Sequence, residues 1–142
     1  TTTFFEPYYL SGAKLTWTPS SKLTLQASAF NSFNSFLENN NNKPLGFSVV
    51  YKLNSHLSFT FNTLVCDESA SNATQKHVRV YNNLYTVWKI SRFTFGGEVN
   101  WCTQSHSVLN DTTATAHLFS ELFVAKYQLY KNISVYGLPA FV

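Results

Sequence analysis

Four segments of the chain share one shape: an aromatic residue, a short polar turn, then a strand in which apolar and polar residues alternate. They run from Trp17 to Leu25, Tyr51 to Phe59, Trp88 to Phe95 and Tyr127 to Val135, and the leading aromatics are 34, 37 and 39 residues apart. Repeats near this spacing also build helical solenoids. The flanking residues alternate with a period of two rather than 3.6, and that pattern requires strands. Before the first turn Ala13, Leu15 and Trp17 interleave with Gly12, Lys14 and Thr16; after it Leu23, Leu25 and Ala27 interleave with Thr24, Gln26 and Ser28. The same reading continued along the chain gives eight strands in four antiparallel hairpins.

The connections alternate in length. Those at the aromatic ends are tight (Pro19–Lys22, Asn54–His56, Ser91–Arg92 and Tyr130–Asn132), whereas Asn34–Lys43, Asp67–Lys76 and Thr103–Thr112 are long and polar. Short and long in strict succession describe an up-and-down meander with one smooth rim and one elaborated rim. Chain length agrees, because eight strands of about ten residues with their turns consume nearly all of 142 residues.

Composition decides which face meets which solvent. Charged residues make up 12% of the chain, roughly half the usual 25%, yet 44% of residues are hydrophobic and 17% aromatic. A net charge of +3 with this apolar content excludes a disordered chain. Mean hydropathy is −0.11, and no run approaches the roughly 20 apolar residues of a membrane-spanning helix. The polar phase of the strands is mostly Ser, Thr, Asn, Gln and Tyr, with few of the charges that solubilise an exposed sheet. The apolar phase carries Trp17, Tyr51, Trp88 and Tyr127 at one level, just before each tight turn. Indole and phenol groups favour a membrane–water interface. Ten residues at about 3.3 Å, tilted by about 40°, give the roughly 25 Å of a lipid-facing band. These features favour a membrane barrel, apolar outside and polar within. The alternative is a soluble, lipocalin-like barrel with the apolar face inward around a ligand.

The repeats also resemble a known family. Ser11–Leu25 followed by Asn31–Asn34, together with Gly46–Leu53, Tyr81–Tyr85 and Gly96–Glu98, is similar to the hairpin repeat of the OmpL-like β-barrel porins of Bacteroidetes-type outer membranes. The likeness extends from about Tyr8 to Gly137. It implies a porin-like barrel of the bacterial outer membrane, and because members of that family are longer, a middle portion of a larger barrel. The ending Gly137–Val142 departs from the family's closing strand and lacks a terminal aromatic. The chain opens at Thr1 without a Met or a basic-plus-apolar leader and reads as a mature or internal segment.

Candidate chemistry is sparse. No nucleophile elbow or metal-binding helix is present, and His56, His77, His106 and His117 are scattered, so no catalytic residue, cofactor or metal is expected. No Lys/Arg cluster marks a nucleic-acid surface. Cys66 and Cys102 fall in the polar phase with a strand between them, too far apart for a disulfide. Arg79 and Glu98 are expected to form an ion pair on adjacent strands. Asn72, Asn110 and Asn132 head sequons of the kind that arise by chance, and Asp111-Thr112-Thr113 resembles an O-glycan acceptor of the same bacterial group.

The expectation is therefore an all-β, antiparallel up-and-down transmembrane β-barrel, a single segment over residues 1–142. Its function is passive diffusion of small hydrophilic solutes, and the alternative is a structural or accessory subunit of a larger outer-membrane complex. Its partners are the outer-membrane bilayer and, in that alternative, other membrane-protein subunits. Lys14, Lys52, Arg79, Lys89, Glu98 and Lys126 are expected to line the lumen, the four lysines forming part of a cationic ring that favours anions. The long connections are expected outside and the tight turns in the periplasm. Glu121 falls in the lipid-facing phase, so either a β-bulge near Leu122–Phe123 turns it inward or a partner protein covers it.

Overall fold

A computed structural model describes residues 10–32, 42–67, 69 and 72–141. These form nine strands: β1 (Gly12–Ser20), β2 (Leu23–Phe30), β3 (Leu45–Lys52), β4 (Leu57–Asp67), β5 (Val78–Ile90), β6 (Phe93–Gln104), β7 (Ala116–Tyr130), β8 (Ile133–Gly137) and β9 (Ala140–Phe141). β1 to β8 pair in sequence order, each antiparallel to the one before. β8 stops opposite Ala125, and β9 returns to β7 at Glu121 and Leu122. β1 and β8 do not meet, so the sheet is open, a portion of a barrel wall rather than a closed barrel. The up-and-down, all-β reading of the sequence holds.

Local chemistry sets the tight turns. Ser20 Oγ accepts from the backbone N–H groups of Lys22 (3.3 Å) and Leu23 (3.1 Å). Asn54 Oδ1 accepts from those of His56 (2.8 Å) and Leu57 (2.9 Å). A short polar side chain at a turn start satisfies amides that the ladder leaves unpaired. Ser91, first of the two residues joining β5 to β6, has φ of 50°, the left-handed conformation that such hairpins use. The ladder shifts register between Trp17 and Ser20, where Pro19 has no N–H to donate. The sequence-expected turn at Pro19–Lys22 is accordingly shorter, since β1 continues through Ser20. On the opposite rim the connections are long. Most of Asn34–Lys43 and part of Asp67–Lys76 lie outside the described residues.

The two faces of the sheet differ in kind. All three residues of the buried apolar cluster, Leu64, Tyr81 and Cys102, are on the polar-phase face, with Leu10 and Phe30 packed against them. So are Asn100 and Ser120, both 0% exposed. That face is therefore the concave one. The other face bares Leu15 (74% exposed), Trp17 (62%) and Phe119 (58%). Its aromatics touch one another: Phe93 and Tyr127 ring centres are 4.6 Å apart, Trp88 and Phe95 6.0 Å. Large side chains gain roughly 1.5–3 kcal/mol each on leaving water, so an apolar exterior of this extent requires a non-aqueous surround.

The polar lining of the concave face

Antiparallel pairing aligns one polar residue from each of seven strands. Thr16 pairs with Gln26, Gln26 with Ser48, Ser48 with Asn62, Asn62 with Asn83, Asn83 with Asn100 and Asn100 with Ser120. Facing positions share a face, so these hydroxyls and amides form one uninterrupted row across β1 to β7. Within it, the four residues from Asn62 to Ser120 are hydrogen-bonded to one another. Asn62 Nδ2 donates to Asn83 Oδ1 (2.9 Å), and Asn83 Nδ2 donates to Asn100 Oδ1 (2.7 Å) and to Glu98 Oε1 (2.9 Å). Asn100 Nδ2 donates to Glu98 Oε1 (3.0 Å) and Ser120 Oγ (3.3 Å), while its Oδ1 accepts the Tyr81 hydroxyl (2.6 Å). Two amide donors thus converge on one oxygen of Glu98, fixing the carboxylate.

The sequence-derived lining residues are distributed as follows. Lys89 pairs with Thr94, and Thr94 with Lys126, so the two lysines flank β6 in one row. The Lys126 ammonium lies 5.7 Å from the centre of the Tyr136 ring. Lys52 pairs with Ser58, and Ser58 with Val87, two residues from Lys89 on the same face. Lys14 stands apart, in the row of Ser28, Gly46, Leu64 and Tyr81. Trp17, Tyr51, Trp88 and Tyr127 all occupy the opposite, apolar face next to the tight turns.

Two expectations are corrected. Arg79 and Glu98 do not form an ion pair. Arg79 faces Gln104, whose Oε1 accepts its Nε (2.9 Å) and Nη2 (2.6 Å), whereas Glu98 faces Tyr85. Six residues along β5 separate Arg79 from Tyr85, about 20 Å of extended chain. The shared phase placed the two on one face, but register placed them at different heights. No β-bulge turns Glu121 inward either: β6 and β7 pair without interruption from Phe93–Tyr127 to Gln104–Ala116, and Glu121, opposite Val99, is exposed on the apolar face in a regular strand. The ladder hydrogen bonds of a continuous 12-residue pairing outweigh one solvent-seeking side chain. Covering by a partner remains, as a proposal.

Cys66 and Cys102 are buried and no disulfide joins them; β5 lies between, with Cys66 opposite Arg79 and Cys102 opposite Tyr81. On the long-loop rim, Asp67 lies 3.8 Å from the Lys76 ammonium and accepts the Ser69 N–H at 3.0 Å. In the β6–β7 loop, Asp111 Oδ1 accepts the Thr113 hydroxyl (2.6 Å) and N–H (3.0 Å). These hydrogen bonds, led by the Thr113 hydroxyl, hold the Asp111 carboxyl below its ordinary range. Among the described residues, no group of three His, Cys, Asp or Glu side chains is placed to hold a metal ion. The amide row was not singled out in the sequence, although Asn62, Asn83 and Asn100 each sit in the polar phase of consecutive strands.

An open up-and-down sheet with an apolar exterior and an amide- and hydroxyl-lined interior defines a wall segment of a membrane β-barrel. The chain belongs to the family described as "Putative beta-barrel porin-2, OmpL-like", whose model matches residues 1–137. No curated protein and no solved structure matches the chain significantly.

Proposed function

We propose that this chain forms part of the wall of a bacterial outer-membrane channel through which small hydrophilic solutes diffuse passively, with no catalytic step. The observation that carries the reading is the polar row from Thr16 to Ser120 on the concave face. Its members that reach the surface, Thr16, Gln26, Ser48, Asn62 and Asn83, both donate and accept, so water and polyhydroxylated solutes exchange along them at little cost. The apolar face anchors the wall in lipid, and Trp17, Tyr51, Trp88 and Tyr127 mark the periplasmic interface. Lys52, Lys89 and Lys126, with Lys14 further along the lumen, lend the path a weak anion preference that Glu98 offsets in part. The test is single-channel recording, in planar bilayers, of the complete barrel of which this chain is a wall segment. Stepwise currents whose reversal potential in a salt gradient shifts in Lys52→Gln/Lys89→Gln support the reading, and an electrically silent bilayer defeats it.

A second reading is an occluded barrel that serves as a structural or accessory subunit. It is favoured by the Leu64, Tyr81 and Cys102 cluster on the concave face, which places apolar bulk where an open pore has water. Glu121, exposed on the outer face, would then mark the contact with a neighbouring subunit.

A further inference from the structure

The polar row is satisfied along only half its length. From Asn62 to Ser120 the side chains bind one another, but Thr16, Gln26 and Ser48 make no side-chain hydrogen bond within the row. Gln26 and Ser48, with Ser28 one step along β2, instead line a cavity of about 260 Å³ on the concave face. Lys14 and Asn62 also line it, and Phe30, Leu64 and Tyr81 supply an apolar wall. Gly46 keeps the space open, because a Cβ there would come within 3.0 Å of the Phe30 ring and 3.7 Å of Leu64 Cδ1. Among the described residues, Lys14 has no ion pair, and no acidic side chain lines the cavity.

We propose that this cavity binds one ring of a sugar acid, a hexose-sized polyhydroxylated solute carrying a carboxylate. Size comes first: about 260 Å³ approaches the roughly 300 Å³ at which ligand pockets begin, enough for one sugar ring. The wall chemistry comes second. A sugar ring has an apolar C–H face and a rim of hydroxyls. Phe30 and Leu64 match the face, while Gln26, Ser28 and Ser48, each able to donate and accept, match the rim. Charge comes third. Lys14 is the one titratable cation in the lining, and an ammonium can only donate, so it selects an anionic group on the solute. Asn62 also lines the cavity, its Nδ2 already donating to Asn83 Oδ1.

The site deepens the diffusion reading, and its test does not require conduction. The complete barrel that contains this chain, folded in detergent micelles and verified by its heat-modifiable electrophoretic mobility, is titrated with glucuronate, glucose and hexanoate by calorimetry. Glucuronate binding should saturate, glucose should bind about tenfold more weakly for want of one charge-assisted hydrogen bond, and hexanoate should not bind. Lys14→Gln should lower glucuronate to the level of glucose, Ser48→Leu should abolish both, and Lys131→Gln, in the β7–β8 turn, should change neither. Unchanged glucuronate affinity in Lys14→Gln, hexanoate binding equal to glucuronate, or no saturable glucuronate binding overturns the proposal. Binding retained by a chain that passes no current supports the site while sinking the diffusion reading.

Discussion

Asn100→Ala is the sharpest test of the hydrogen-bonded half of the lining. The Asn100 side chain is 0% exposed and takes part in four hydrogen bonds, with Tyr81, Asn83, Glu98 and Ser120. Each such bond contributes about 0.5–1.5 kcal/mol net. Asn83 keeps its donation to Glu98 at 2.9 Å without Asn100, so part of the network survives. The Tyr81 hydroxyl loses its 2.6 Å acceptor beside the buried Leu64 and Cys102. Together these give a loss of about 2–4 kcal/mol. Asn100→Asp keeps the acceptor for Tyr81 but sets a second carboxylate against Glu98, and should cost at least as much. The assay is urea unfolding of the chain in lipid vesicles, followed by tryptophan fluorescence. A change in unfolding free energy under about 0.5 kcal/mol, the scale of an ordinary surface substitution, would show that the network is not formed.

Three further outcomes follow from the same geometry. Glu121→Leu should stabilise the chain in vesicles by up to about 2 kcal/mol, since an acidic side chain in the lipid-facing band is costly; a destabilised variant would show that Glu121 already meets a partner. Cys66 and Cys102 are buried, so both should react slowly with maleimides in the folded protein and resist cross-linking by a copper oxidant, whereas a rapid disulfide would contradict the β5 separation. Asp111 titrates below its ordinary value of 3.8; a depressed carboxyl favours the folded loop above that value and loses the contribution as pH falls through its own pKa. The Thr113 amide resonance should therefore shift only in that acid range, and a shift between pH 5 and 7 would refute the contact.

Faces were legible in the sequence, but heights were not. A period of two assigns each side chain to one side of a sheet, so Asn62, Asn83, Lys89 and Glu98 could be placed on the polar face from the alternation alone. Register depends on the length of each hairpin connection, which alternation does not encode. Arg79 and Glu98 were matched by face and separated by register. Asn62, Asn83 and Asn100 escaped notice for the converse reason: scattered in sequence, they become neighbours only once two strand pairings are aligned. Glu121 shows a third limit. The cost of a carboxylate on the apolar face argued for a bulge, but local strain in a long continuous ladder competes with that cost.

The central claim is that the polar face meets water while the opposite face meets lipid. Single spin labels placed in turn at Gly46, Phe47, Ser48 and Val49 of β3, in a Cys66→Ser/Cys102→Ser background reconstituted in bilayers, test it directly. Electron paramagnetic resonance relaxation should show labels at 46 and 48 accessible to a water-soluble nickel complex, and labels at 47 and 49 accessible to lipid-dissolved oxygen. The inverse alternation, with 47 and 49 shielded from both agents and 46 and 48 uniformly solvated in a protein that stays in the aqueous phase, would contradict it.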